Sequence, residues 1–173
     1  MHQIQQLVGK TDFILFDTGA GLTKEAMKFI AAADETWIIT TPEPTSVTDA
    51  YALIKLVCQA GLDADFRLVI NRTASPKEGK QTAENLNYAS HRFLNKEIAF
   101  LGSIADDGAV AKAVRQQIPF SLLYPNCGAA KDIARCCSRY LTGTSSKLQA
   151  NMGKGVFHRM FQWMKSKERT GKF

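Results

Sequence analysis

Apolar and polar positions follow two rhythms along this chain. Short continuous apolar runs occur at Phe13-Ile14-Leu15-Phe16, Trp37-Ile38-Ile39, Phe66 to Ile70 and Ala99 to Ile104. Runs of this length, bounded by turn residues, fit strands buried on both faces of a parallel sheet. The second run extends through Thr40-Thr41 and stops at Pro42-Glu43-Pro44, because proline cannot continue a central ladder. The third ends at Asn71-Arg72, and a polar loop is expected over Thr73 to Lys80.

Between these runs the apolar positions recur at helical spacing. Ala26, Met27, Phe29 and Ile30 predict a helix over Thr23 to Ala33, with Thr23 as cap. Val47, Tyr51, Ile54 and Val57 predict one from Thr45 or Ser46 to about Ala60, stopped by Gly61. A longer helix runs to roughly Leu94. Asp106-Asp107 opens another over Ala109 to Gln116, where carboxylates oppose the helix dipole. Pro119 to Leu123 reads as a short strand or extended segment, and Ala129 to Leu141 as the last body helix. Met1 to Val8 reads as part of a short helix, and no internal repeat is present. Strands alternating with helices define a parallel α/β sheet with flanking helices.

The pattern divides the chain in three. Residues 1–141 form the α/β body. Residues 142–153, with Gly143, Thr144, Ser145, Ser146 and Gly153, read as a flexible linker. Residues 154–173 form a basic amphipathic tail. At about 100° per residue, Val156, Phe157, Met160, Phe161, Trp163 and Met164 share an arc of roughly 160°. His158, Arg159, Gln162 and Lys165 lie opposite, and Lys167 falls inside the arc near its end, where an ammonium snorkels outward. A wide apolar face, a basic face and a tether are marks of a helix lying on anionic lipid. A terminal helix packed on the body or on a partner is the plainer reading.

Charge sharpens this division. The chain of 173 residues carries 22 Lys and Arg against 16 Asp and Glu, a net +6. Seven of the basic residues and only Glu168 among the acids lie beyond residue 146, so the body is formally neutral. The body is therefore no general polyanion binder. An apolar content of 45% is that of a globular protein, and the length suits one domain. No apolar run approaches the ~20 residues of a membrane span. Met1 to Leu7 has no secretory pattern. Cys58, Cys127, Cys136 and Cys137 lack C-x-x-C spacing and read as reduced cytosolic thiols rather than zinc ligands.

The chemistry begins at Asp17-Thr18-Gly19-Ala20-Gly21. A carboxylate at the carboxyl end of a strand, followed by glycines, suits a magnesium ion and a closely approaching phosphate. A capping residue and a simple turn explain the same residues. Gly9-Lys10-Thr11 is no phosphate loop. The first glycine of that motif falls on Ile4, and the strand follows the Lys-Thr pair where it should precede it. No dinucleotide fingerprint, nucleophile elbow or H-E-x-x-H is present, and His2, His91 and His158 lie far apart.

Three longer stretches carry a resemblance. Asp17 to Gly21, then Thr40-Thr41-Pro42-Glu43-Pro44-Thr45-Ser46-Val47-Thr48-Asp49-Ala50-Tyr51, then Val69-Ile70-Asn71-Arg72, resemble the MinD/ParA family of nucleotide-dependent switch ATPases, within its flagellar-regulator branch (FlhG, FleN, YlxH). The likeness continues through Leu101 to Asp107, Ala113 to Phe120 and the tail. It implies an incomplete P-loop NTPase fold lacking the phosphate-loop strand, with Asp17 facing Mg through water and Gly21 near the γ-phosphate. It implies that Asn71 contacts adenine, beside Arg72 and an adenine-side loop from Ile104 to Asp106, where Ala105 replaces the usual proline. ATP or ADP with Mg are the implied cofactors of an intact protein.

The resemblance further implies a homodimer in the nucleotide state, a C-terminal helix on the inner face of the cell membrane, and flagellar partners such as an FlhF-type GTPase and switch-complex components. The family's phosphate loop and first switch lie upstream of Asp17, so this chain looks like the C-terminal portion of such a protein. Hydrolysis by this chain alone is not expected, since positioning on the phosphates is most of phosphoryl-transfer catalysis. Two other readings stand beside the switch. One is an interaction module that binds no nucleotide. The other is a ParA-like binder of DNA backbone through the tail, against which the wide apolar arc argues.

Overall fold

The computed structural model describes residues 11–19 and 23–148. Three strands, β1 (Glu35–Thr40), β2 (Asp65–Thr73) and β3 (Ile98–Ala105), form one sheet in the order β1-β2-β3. Both pairings are parallel, and each has the helical crossover that parallel neighbours need. The helices are α1 (Lys24–Ala32), α2 (Pro44–Gln59), α3 (Pro76–Leu94), α4 (Gly108–Arg115), α5 (Phe120–Leu123) and α6 (Gly128–Leu148).

Each helix start has a local cause. The Thr23 hydroxyl accepts from the Ala26 N–H at 3.0 Å and caps α1. Pro44 occupies the first turn of α2, where its missing N–H costs nothing, so neither Thr45 nor Ser46 is the cap. Ser75 and Glu78 make a reciprocal capping box on α3: Ser75 Oγ accepts from the Glu78 N–H, and the Glu78 carboxylate accepts from the Ala74 N–H. That box draws the helix start into the segment expected to be a polar loop. Asn95, with φ at 49°, ends α3 in the left-handed cap conformation.

The core lies between one face of the sheet and the helices α2 and α3. Ile38, Phe66, Leu68, Ile70 and Ile98 meet Ile54, Val57, Ala83 and Leu86, with Ile54, Val57, Leu68 and Ile70 wholly buried. On the opposite face α6 packs chiefly against β3, where Leu101 and Cys136 are buried, and its Tyr140 reaches β1, meeting the Trp37 ring edge-on at 5.0 Å. Trp37 and Ile39 nonetheless stay 39% and 56% exposed. The strand expected to be buried on both sides thus alternates, and only β2 carries a run of buried residues on successive positions.

The largest correction concerns Phe13 to Phe16. These residues form no strand, and Phe13, Ile14 and Leu15 are exposed. A strand exists only through a ladder, and no described strand pairs with this run. Its rings find aromatic neighbours instead: Phe13 lies 6.1 Å from Tyr140 of α6, and Phe16 lies 5.1 Å from Phe29 of α1. Pro119 to Leu123 is the helical turn α5 rather than extended chain. The last helix continues past Leu141 to Leu148, so the first part of the expected linker is helical. The expected helix at Met1 to Val8, the rest of the linker and the tail at 154–173 lie outside the described residues.

Candidate functional site

The carboxyl ends of β2 and β3 gather the residues on which a site can be built. Strand β2 runs on past Ile70 through Asn71, Arg72 and Thr73. Thr73 is buried and ties the two strand ends together: its hydroxyl donates to the Ile104 carbonyl at 3.2 Å, and its carbonyl accepts from the Asp106 N–H at 3.0 Å. The ladder loses register between Ile70 and Thr73, so Asn71 and Arg72 stand out of the pleat. Arg72 takes a left-handed φ of 55°. Its N–H donates to Asn71 Oδ1 at 3.0 Å, so the amide's donor side, its NH2, is not used in that bond. The Arg72 guanidinium pairs with the Asp106 carboxylate at 3.7 Å.

Asp107 joins the starts of two helices. One carboxylate oxygen accepts from the Ala109 N–H at 2.9 Å and caps α4; the other accepts from the Ala129 N–H at 3.3 Å in the first turn of α6. These backbone donors, Ala109 first and Ala129 next, hold its carboxyl below the ordinary carboxylate range. Asp132 of α6 then accepts from the Ala105 N–H at 2.9 Å, anchoring the loop between β3 and α4 from its other side.

Five of the residues singled out from sequence have described positions. Asn71, Arg72, Ile104 and Asp106 come together across neighbouring strand ends. Asp17 does not join them through any described contact; it is exposed, and its Oδ1 accepts from the Gly19 N–H at 3.2 Å in a local turn. Gly21 lies outside the described residues, as do Val156, Phe157, Arg159, Met160, Phe161, Trp163, Met164 and Lys165. Among the described residues no group of three His, Cys, Asp or Glu side chains is placed to hold a metal ion. These strand ends therefore set the Asn71 amide beside a polar loop that Thr73 and the Arg72–Asp106 pair hold in place.

Sequence reasoning places Asp107 at the start of α4, as the structure has it, but misses its bond to α6 and the roles of Thr73 and Asp132. Thr73 falls in the expected loop, although a β-branched residue directly after a strand end favours extended backbone. Asp107 before Gly108-Ala109 carries an N-cap signal, yet nothing local announces its second bond to α6. Asp132 acts across 27 positions of sequence, and no short pattern encodes that.

Comparison with known proteins gives the setting. The chain is 36% identical over 119 residues to the antiactivator FleN of Pseudomonas aeruginosa, covering 69% of this chain and 42% of FleN. It is 34% identical over 121 residues to the flagellum site-determining protein YlxH of Helicobacter pylori, covering 69% of this chain and 40% of YlxH. The chain thus spans well under half of either relative. Its fold matches the cell division ATPase MinD of Pyrococcus furiosus with a TM-score of 0.62 and 24% identity, over 80% of this chain and 55% of that one. No protein-family model matches the chain.

Proposed function

The chain belongs to the MinD/ParA family, on its FlhG-like branch, covering the C-terminal part of such a protein, and on that premise we propose that it is the base-binding and membrane-attaching part of an ATP-dependent switch that sets flagellar number or placement. The observation that carries this reading is the meeting of Asn71 and Arg72 with Ile104 and Asp106 across the ends of β2 and β3. In α/β sheets ligands bind outside the carboxyl ends of the strands, and this is where the Asn71 amide stands.

In this reading Asn71 reads the adenine edge through its amide, and Arg72 and Asp106 hold the strand-end loop against the base. Asp17 and Gly21 contribute on the phosphate and magnesium side, together with a phosphate loop supplied by the whole protein. Without that loop the chain binds ATP weakly and does not hydrolyse it, because the interactions that stabilise the transferring phosphoryl group are missing. Nucleotide-driven homodimerisation then doubles the number of basic amphipathic tails. Two weak anchors held together raise membrane affinity beyond either alone. The amphipathic pattern of the tail supports peripheral attachment, from the cytosolic side; among the described residues no helix is long and apolar enough to cross a membrane. An FlhF-type GTPase and flagellar switch components are the proposed partners.

Calorimetric titration of ATP into the chain and its Asn71→Ala variant tests the site. Weak saturable binding that falls at least fivefold in the variant supports the reading. Equal binding by both, or none at millimolar ATP, contradicts it.

A further inference from the structure

Strand β3 is the end strand of the described sheet, and its outer edge forms the floor of a cleft of about 400 Å³. Helix α3 stands on one side with Pro76 and Lys80, and α6 on the other with Asp132, Arg135 and Arg139. Two glycines let these walls close on the strand. A Cβ on Gly79 of α3 would lie 2.4 Å from the Ser103 Cβ, and one on Gly102 of β3 would lie 2.6 Å from the Cys136 thiol. The floor is largely apolar, made by Phe100, Leu101 and Cys136. Burial pushes the Cys136 thiol up, so it stays protonated and apolar there.

The edge itself is guarded. Leu101 is the extra residue of a bulge, since Leu68 pairs with Phe100 and Val69 with Gly102. Arg139 donates to the Leu101 carbonyl at 2.7 Å, and Asp132 accepts from the Ala105 N–H. A bulge and side-chain caps are how edge strands avoid pairing with another strand. The cleft is therefore suited to side chains rather than to an added strand.

Its rim is cationic. Lys80 and Arg135 have side chains 71% and 69% exposed, and Arg139 reaches the strand at the Leu101 carbonyl. Against these stand Asp132, paired with Arg135, and Glu84, 3.5 Å from Lys80 on the outer side of α3. The geometry points to an acidic peptide as occupant, with one apolar anchor side chain in the cleft and flanking carboxylates on Arg135, Arg139 and Lys80. The chain's own C-terminal stretch carries seven basic residues against one acid beyond residue 146, and the rim repels it. Charge complementarity also sets the partner's approach, which salt weakens.

The test uses the full chain and a fluorescein-labelled peptide of alternating Asp and Glu around a central Phe. A second peptide carries Lys at every acidic position. The acidic peptide is expected to bind saturably by anisotropy, with amide shifts confined to Phe100–Ala105 and residues 132–139, and the basic peptide not to bind. The double variant Lys80→Gln, Arg135→Gln removes two rim cations and is expected to stay folded, with a modest drop in unfolding temperature from the lost Arg135–Asp132 pair, while losing at least tenfold in affinity. Equal affinity for both peptides, an unchanged double variant, or shifts elsewhere overturn the proposal. So does a concentration-dependent dimer in sedimentation that the same variant abolishes, because the cleft would then be closed by a second copy of the chain.

Discussion

Arg72 reaches from the end of β2 to Asp106 beyond the end of β3, with its guanidinium 3.7 Å from the carboxylate and its own backbone at a φ of 55°. The pair is well exposed on both sides. An exposed ion pair contributes at most about 1 kcal/mol, so this contact is an instrument of position more than of stability. Arg72→Ala is expected to change unfolding free energy by less than about 1 kcal/mol in urea titrations. Nucleotide affinity is expected to fall more than stability does. A large loss of stability would show that the pair holds the fold and not the loop.

Asp107 makes the loop after β3 sensitive to acid. Its carboxyl is held below the ordinary range, chiefly by the Ala109 N–H and then by that of Ala129. A carboxylate with a depressed native pKa contributes stability in full above its unfolded value of about 3.9, and loses it as pH falls through the lower native value. Asp107→Asn is therefore expected to flatten the acid limb of a stability–pH curve below about pH 4. An acid limb identical to the parent's would contradict this.

Gly79 sets how closely α3 approaches β3. A methyl group there meets the Ser103 Cβ at 2.4 Å, which no ordinary contact allows. Alanine favours helices over glycine by about 1 kcal/mol, but overpacking costs about 1–3 kcal/mol and wins here. Gly79→Ala is expected to destabilise the chain, and the added Ser103→Gly change to restore most of the loss. Additive effects of the two changes would show that the residues are not in contact.

Leu68, wholly buried in the central strand, is the corresponding test of the core. Leu68→Ala is expected to cost about 2–5 kcal/mol, read from the shift in the urea midpoint. A cost below about 1 kcal/mol would mean that α2 and α3 do not close on the sheet as described.

How much of this is legible in the sequence varies from element to element. The helices over 24–32 and 44–59 and the body of 76–94 come from local spacing, and the Thr23 cap is legible too, whereas the cap of the second helix and the start of the third, read as loop, are not. The run Phe13–Phe16 has the composition of a buried strand, yet a strand is a property of two segments, and none of the described strands pairs with it. Trp37 and Ile39 read as core for the same reason and stay partly exposed, although the Tyr140 ring of α6 meets that of Trp37 at 5.0 Å. At the site, Asn71 and Arg72 are visible as a strand end. Thr73, which joins that end to β3, and Asp132, which ties the end of β3 to α6, are not, since their bonds cross 31 and 27 positions of sequence.

The tail lies outside the described residues, and its role rests on sequence. Phe161→Glu places a carboxylate in the middle of the apolar arc. The variant is expected to lose co-sedimentation with anionic liposomes at low salt. Parent-like co-sedimentation would assign the tail to protein contacts instead.

The most direct test of the central reading, that the ends of β2 and β3 form the base end of a nucleotide site, is residue-resolved. ATP, adenosine and GTP are titrated into the isotopically labelled chain and amide shifts are followed. Saturable shifts at Asn71, Arg72, Ile104 and Asp106 with ATP and adenosine, and not with GTP, are the predicted result. Shifts centred elsewhere, or none at these four residues, would contradict it.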